Sequence, residues 1–408
     1  MRSRERIAVT GMGVRTPAGS RLKELWNALL SGQSTARRIT SFDTTGIGTD
    51  FACQIHDLDV TDYLTPKQAA RMDRVTQLGV CAAADALGDA GNVRVSAERQ
   101  AVVTGSGFGG TLTYENALLD AVGPGRGNPG PLHVPMVMPN ALAAAISIRH
   151  RILGPSLSVA TACASGAHAV AEAARLLRDG TADVVVAGGA EACVTPTVML
   201  AFHRCRALSE RNEAPELASR PFDRDRDGFV LAEGAAFLVL ENLEHALARD
   251  AHVYAELTGC GLSSDAHHIT APPAQGDGAA RCMRAALADA GLGPEEITHV
   301  NAHGSGTPLN DLAEAQAISA VFGPGAVPVT STKGITGHAI GAAGAIEAVA
   351  AVLALNERAV PPTANLRTLD PECAVDVVAQ VRPMAAGPVM SNSFGFGGHN
   401  ATLIFAPV

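Results

Sequence analysis

Runs of small and β-branched apolar residues recur along the chain without a polar alternate: Ile7-Ala-Val-Thr, Gln100-Ala-Val-Val-Thr, Leu157-Ser-Val-Ala-Thr, Asp183-Val-Val-Val-Ala and Val389-Met-Ser-Asn-Ser. Such runs, separated by segments of helical spacing, predict strands of parallel sheets buried on both faces. The pattern also echoes itself. Ala86-Leu-Gly-Asp-Ala-Gly91, a polar loop, a strand and Gly105-Ser-Gly are matched by Ala286-Leu-Ala-Asp-Ala-Gly291, a polar loop, the strand from Ile297 and Gly304-Ser-Gly. Each copy then continues into a strand followed by a helix of very small residues, Ala162–Arg178 and Gly337–Leu355, and into an apolar strand with paired glycines. An echo longer than the usual solenoid period predicts a duplicated domain, so the chain reads as two α/β halves, 1–250 and 251–408. Helices carrying Ala, Gly and Ser on all sides belong in an interior where backbones approach closely, which places both between two sheets. The loops at their N-termini then meet at the pseudo-dyad, where chemistry is to be sought.

Composition narrows the function classes. With 47% apolar and 17% charged residues in 408, the chain has ample material for a large core and none of the character of a disordered protein. A formal charge of −9 excludes nucleic acid as the main partner. The eight cysteines are scattered without a Cys-x-x-Cys, which predicts reduced thiols in a cytosolic protein. The start, Met1-Arg-Ser-Arg-Glu-Arg, enters a strand without a signal-peptide apolar region. The apolar helix Ala339 to Leu355 carries Glu347 and is expected to fall short of a bilayer span. The expectation is a cytoplasmic protein that engages neither membrane nor nucleic acid.

Cys163 lies in Ala160-Thr-Ala-Cys-Ala-Ser-Gly, at the turn from a strand into the first small-residue helix, where free N–H groups and the helix dipole favour a thiolate nucleophile. None of the other seven cysteines has such a turn around it. His303 ends an echo strand in Asn301-Ala-His-Gly-Ser-Gly, and His338 opens the second small-residue helix in Thr336-Gly-His-Ala-Ile-Gly. One cysteine and two glycine-flanked histidines suit acyl transfer through a thioester, with neutral imidazoles donating to developing oxyanions. His299 and His303 are four apart but sit on a strand without a His-Glu-x-x-His pattern, so no metal is expected. Lys333, one of three lysines, lies among small residues and needs a carboxylate if buried; Glu347 is the candidate. Phe394-Gly-Phe396-Gly-Gly is a loop able to move and to bring N–H groups onto a ligand. Gly105-Ser-Gly-Phe-Gly-Gly110 matches G-x-G-x-x-G after a strand but has no ribose-binding acid at the proper distance. Asp311-Leu-Ala-Glu314 reads as a capping box.

Five stretches together resemble the β-ketoacyl-acyl-carrier-protein synthases, condensing enzymes of the thiolase fold. They are Thr161-Ala-Cys-Ala-Ser-Gly, Ser219-Arg-Pro-Phe-Asp-Arg-Asp-Arg-Asp-Gly-Phe-Val, Asn301-Ala-His-Gly-Ser-Gly-Thr, Ser331-Thr-Lys-Gly-Ile-Thr-Gly-His and Asn392-Ser-Phe-Gly-Phe-Gly-Gly-His-Asn. The resemblance implies a five-layer αβαβα dimer in which Cys163 is acylated, His303 and His338 assist decarboxylation and condensation, and Lys333 supports them with Glu347 behind it. It puts a gate at Phe396, beside Phe394, facing the loop Asp265 to Thr270, and an acyl-pocket residue at Phe108. Ser305 and His399 depart from the commoner Thr at both places. The stretch Ser263-Ser-Asp-Ala-His-His resembles the fatty-acid elongation synthases, whereas Arg71-Met-Asp-Arg-Val-Thr-Gln and Pro361-Pro-Thr-Ala-Asn-Leu resemble the ketosynthase subunit of type II polyketide systems.

The resulting expectation is decarboxylative Claisen condensation of malonyl-carrier protein with an acyl group on Cys163, in first place as the ketosynthase subunit of a type II polyketide synthase and in second as a fatty-acid elongation synthase. The substrates ride on the phosphopantetheine of acyl carrier protein and no metal or redox cofactor is needed. The backbone N–H groups of Cys163 and Phe396 are the expected oxyanion hole. A heterodimer with a chain-length-factor homologue is the first expected assembly and a homodimer the second, with Arg204, Arg206 and Arg211 as docking candidates for the acidic carrier. A degradative thiolase would need a second catalytic cysteine in the C-terminal glycine-rich loop, a non-catalytic scaffold subunit would be expected to lack Cys163, and a dinucleotide enzyme rests on Gly105–Gly110 alone.

Overall fold

The valine- and alanine-rich runs form two sets of strands that match position for position. The computed structural model describes residues 5–122 and 129–408; Met1 to Arg4, part of the reading of the chain's start, lie outside the described residues. In the first half the strands run in the order Ser156–Val159, Gln100–Gly105, Val184–Glu191, Gly234–Asn242, Ile7–Arg15. In the second the order is Pro328–Thr330, His299–Asn301, Val389–Gly395, His399–Ala406, Ala255–Ser264, with Asp376–Val377 added outside the first. The first three of each set are mutually parallel and the fourth pairs antiparallel with both the third and the fifth, so each sheet is mixed rather than wholly parallel as the apolar runs suggested. Antiparallel strands share the run-on apolar pattern because they too are covered on both faces. Two antiparallel pairings, Ala8 with Glu256 and Val9 with Ala255, link the halves into one eleven-stranded ladder.

The echoed Ala-Leu-x-Asp-Ala-Gly has a structural cause. It forms the end of helices Arg74–Ala90 and Asp277–Ala290, which close on Gly91 and Gly291 at φ 69° and 70°. The aspartate in each accepts an N–H from the strand beneath: Met12 to Asp89 at 2.9 Å and Cys260 to Asp289 at 2.8 Å. The strand supplies glycines where the helix lies on it. A Cβ at Gly11 would stand 2.2 Å from the Ala86 carbonyl oxygen, and one at Gly261 would stand 2.1 Å from that of Cys282.

The small-residue segments become helices Ser165–Arg178 and Ile340–Glu357, each touching strands of both sheets as well as the other helix. With Arg74–Ala90 and Ala141–His150 outside the first sheet, and Asp277–Ala290 and Pro308–Phe322 on the far side of the second, the layers read αβαβα. Backbones nearly touch at the central crossing: a Cβ at Gly166 would lie 2.8 Å from the Ala345 nitrogen, and one at Gly344 2.8 Å from that of Ala167. Ile340–Glu357, at 18 residues, is long and apolar enough to cross a membrane, contrary to the expectation from Ala339–Leu355. It is 89% buried inside the protein, so its apolar surface is spent on the two sheets.

Candidate active site

The strand Ser156–Val159 delivers the chain into a single 3₁₀ turn, Ala162–Ala164, from which the first central helix departs. The turn is sharp enough to hold Ala162 at φ +51°, a left-handed value that costs a residue with a Cβ about 1–2 kcal/mol. Ser165 secures it, accepting the Thr161 N–H at 2.9 Å and donating to the Ala162 carbonyl at 2.7 Å. Cys163 is thereby placed at the wall of a cavity of about 280 Å³ that His303, His338, Phe394 and Phe396 also line. The thiol departs from the expected thiolate. Burial pushes it up to about 11 and outweighs the Lys333 charge and the N–H groups of Phe396 and Cys163 itself, all of which favour the anion. The same two N–H groups are the donors that the oxyanion-hole expectation names.

His303 and His338 are buried with ring centroids 5.3 Å apart at 82°. His338 is held by its backbone, donating to the Val230 carbonyl at 2.7 Å and accepting from the Ala232 N–H at 3.0 Å. Burial first, and then the positive charge of Lys333, hold both imidazoles well below the usual histidine range, so both are neutral. The Lys333 Nζ, itself buried, is ion-paired with Glu347, donates to the His303 carbonyl at 2.5 Å and lies 3.4 Å from His303 Nδ1. An ammonium only donates, so Nδ1 accepts and the ring proton sits on Nε2. Glu347 is raised to about 7 by burial, opposed by Lys333.

The glycine-rich loop closes over these groups. Gly395 passes so near the nucleophile turn that a Cβ there would meet the Thr161 carbonyl oxygen at 2.6 Å. Phe394 lies 6.0 Å from the His303 ring, and Gly397 donates to the Ile269 carbonyl at 2.8 Å, joining this loop to the segment carrying Thr270, which also lines the cavity. His399 is exposed, 6.4 Å from His168, whose Nδ1 lies 3.1 Å from Thr161 Oγ1. Phe108 does not line the cavity. Its ring stands behind Phe202, 5.9 Å away and 39% exposed, because the Gly105–Gly110 loop turns it outward.

Sequence reading missed three features of this site. Glu314 is no capping residue: helix Pro308–Phe322 starts at Thr307, and the buried Glu314 carboxylate accepts the N–H groups of His303 at 2.8 Å and Gly304 at 2.7 Å. Asp311 similarly accepts from Phe222 at 2.8 Å and Gly306 at 3.1 Å. Their i, i+3 spacing on one helix face was the available signal, and it was assigned to the helix terminus instead. Phe202 and Phe229 form the third feature, an aromatic wall reaching His338. Among the described residues no group of three or more His, Cys, Asp and Glu side chains is arranged to hold a metal ion.

Comparison with known proteins agrees with this architecture. Residues 4–246 match the β-ketoacyl synthase N-terminal domain family and residues 254–367 its C-terminal domain family. The chain is 43% identical to 3-oxoacyl-[acyl-carrier-protein] synthase 2 of Synechocystis sp. over 98% of both chains, and 44% identical to the protein of that name in Vibrio cholerae over 99% of both. Among solved structures, the ishigamide ketosynthase/chain length factor superposes with a TM-score of 0.92 at 37% identity, covering 100% of both chains. A type II PKS ketosynthase, solved bound to the hexaketide and in complex with its acyl-carrier protein, gives 0.90 at 32% identity, again covering 100% of both. A thiolase-like core of two matched sheets, with a cysteine and two neutral histidines on one cavity, thus accompanies full-length sequence similarity: the chain belongs to the β-ketoacyl synthase family and is an acyl-transferring condensing enzyme.

Proposed function

We propose that the protein is a β-ketoacyl-acyl-carrier-protein synthase of the fatty-acid elongation type. The order of the two pathway readings from sequence is thereby reversed, because identity to the 3-oxoacyl-[acyl-carrier-protein] synthases 2 reaches 43–44%, against 37% and 32% for the ketosynthases of the polyketide kind. The observation that carries the chemistry is the convergence of Cys163, His303 and His338 on one cavity, with the Lys333–Glu347 pair buried behind it.

In this reading an acyl group passes from the carrier's phosphopantetheine sulfur to Cys163 Sγ, and the Cys163 proton goes to the departing pantetheine thiol. Malonyl-carrier protein then loses CO2. Its thioester oxygen takes up the resulting negative charge as an enolate, stabilised by His303 Nε2–H and by His338. The enolate carbon attacks the acyl-Cys163 carbonyl, whose oxyanion the Cys163 and Phe396 N–H groups receive. Collapse breaks the C–S bond, releases a β-ketoacyl thioester two carbons longer and leaves the Cys163 thiolate, which takes a proton from solvent to restore the thiol. Phe394, Phe396 and Thr270 close the cavity over the reaction. Phosphopantetheine arrives on the substrate, and the protein needs no resident cofactor. Exposed Arg204 and Arg206, the latter lining the cavity, together with half-buried Arg211, are the positive groups for an acidic carrier in a cytoplasmic setting.

The same reading takes the division near residue 250 as the boundary between a nucleophile half and a histidine half, which the family matches ending at 246 and starting at 254 support. It makes the assembly a homodimer. A pairing with a chain-length-factor homologue is the second reading, favoured by the ketosynthase/chain length factor neighbour.

The test is incubation with radiolabelled hexanoyl- and malonyl-carrier protein. Wild type is expected to carry label on Cys163 and to form product alone, without a second subunit. Cys163→Ala should lose both, and His303→Ala should lose about 10²–10³ in malonyl decarboxylation. Product formation by Cys163→Ala would overturn the nucleophile, and activity only with an added homologous subunit would favour the polyketide reading.

A further inference from the structure

The Gly105–Gly110 loop resembles a phosphate-binding turn, yet its N–H groups are already satisfied from inside the protein. Glu191, fully buried at the end of strand Val184–Glu191, accepts four hydrogen bonds. Oε2 receives the N–H groups of Gly107 at 2.7 Å and Gly341 at 3.0 Å, and Oε1 receives the Phe108 N–H at 3.2 Å and the Ser106 hydroxyl at 3.1 Å. Ser106 Oγ in turn accepts the Gly109 N–H at 3.0 Å, which commits its own proton to Glu191. Space is as tight as the bonding: a Cβ at Gly341 would stand 2.4 Å from the Gly107 nitrogen and 2.7 Å from Glu191 Oε2. Within the motif it is Gly107 that serves this sharing of one carboxylate by a loop and a helix start, since a Cβ there would stand 2.9 Å from Glu191 Oε2 and 3.0 Å from the Ile340 side chain.

The two segments so joined are the two ends of the aromatic wall. Phe108 meets Phe202 at 5.9 Å and 75°, Phe202 meets Phe229 at 5.3 Å and 78°, and Phe229 meets His338 at 5.1 Å and 85°. Phe202, Phe229 and His338 line the cavity. Gly341 follows His338 by three residues and Phe108 closes the other end, so Glu191 completes a ring of contacts around this wall.

We propose that Glu191 is a positioning residue which fixes the aromatic wall and thereby sets the length of acyl group that Cys163 accepts. Resting on the condensing reading above, this inference assigns the specificity of the same cavity to a carboxylate that touches no substrate. All four partners donate, so both oxygens must accept. An amide would turn an NH2 toward backbone N–H groups and part the loop from the helix. Phe108, already part-exposed, has room to swing outward, and Phe202 then loses its backing.

The experiment measures the rate at which Cys163 is acylated by hexanoyl- and by dodecanoyl-pantetheine thioesters in wild type, Glu191→Gln and Ser106→Ala, with folding checked by circular dichroism. In Glu191→Gln the dodecanoyl-to-hexanoyl rate ratio is expected to rise by about fivefold, the change that losing one hydrogen bond of ordinary net strength brings. Ser106→Ala should shift it in the same direction by less. An equal fall for both thioesters, the mark of a merely structural role, or an unchanged ratio overturns the inference. If Glu191→Gln does not fold, the milder Ser106→Ala decides by the same criterion. Failure of wild type to be acylated by either thioester would overturn the condensing reading itself; normal acylation with an unmoved ratio overturns only the role of Glu191.

Discussion

At Cys163 the Lys333 charge and two N–H groups favour the anion, and burial opposes them and pushes the thiol up to about 11. The free enzyme therefore holds a neutral thiol at physiological pH, and the thiolate fraction grows as pH rises toward that value. Alkylation of Cys163 by iodoacetamide is expected to accelerate about tenfold per pH unit between pH 7.5 and 9.5, without a plateau. A plateau near pH 7 in the measured rates would show that the helix terminus dominates. The residues legible in the sequence, Cys163, His303, His338 and Lys333, share small or glycine-flanked surroundings in which a reactive side chain stands out. Glu191 and Glu314 were not legible. Each acts through backbone N–H groups, and a backbone donor leaves no trace in residue identity; for Glu191 the donors also come from segments remote in the chain.

The central helices are set by space. Gly344 faces the Ala167 nitrogen and the Ser393 hydroxyl, where a Cβ would stand at 2.8 and 2.7 Å, and a backbone nitrogen cannot give way. Gly344→Val is expected to destabilise the fold by about 1–3 kcal/mol or more through overpacking. Gly88, inside helix Arg74–Ala90 with nothing within 4 Å of a Cβ, behaves oppositely. Gly88→Ala should stabilise by about 0.5–1 kcal/mol, since only the flexibility of the unfolded chain is lost. Urea midpoints of the two variants check both signs, and equal shifts would show that helix propensity rather than close approach governs these positions. The alanine- and glycine-rich composition of the central pair announced this packing in the sequence. Which glycine meets which backbone atom depends on the crossing point of two helices far apart in the chain.

At the scale of the whole molecule, one edge strand of the ladder stands out among the described residues by its exposure. Strand Ser156–Val159 ends the ladder with Leu157 exposed, Ser147 Oγ bonds Ser156 Oγ at 3.0 Å, and Ile148 on the adjoining helix is 78% exposed. Leu153 and, across helices His133–Val137 and Thr111–Val122, Leu118 and Leu119 extend the apolar surface. An open edge strand beside a wide apolar patch is a template for a second chain, and the proposed homodimer is expected to use it. Ile148→Glu is expected to convert the protein to monomers in sedimentation velocity. A dimer unchanged by the substitution would place the interface elsewhere.

The sequence by itself determined the local and repeated parts of this protein: two α/β halves, two small-residue helices with Cys163 and His338 at their N-termini, and His303 just past the end of an echoed strand. Those features are written in runs, spacings and glycines, each a matter of neighbours along the chain. Only the tertiary structure decided that the fourth strand of each sheet runs antiparallel to the rest, that Phe108 stands outside the cavity, and that Asp311 and Glu314 brace the loop carrying His303 instead of capping a helix. It also decided that Cys163 is a thiol. The reason is common to all four: burial, desolvation and backbone hydrogen bonding between distant segments depend on what the fold brings into contact, and a sequence pattern records only which side chains are available for it.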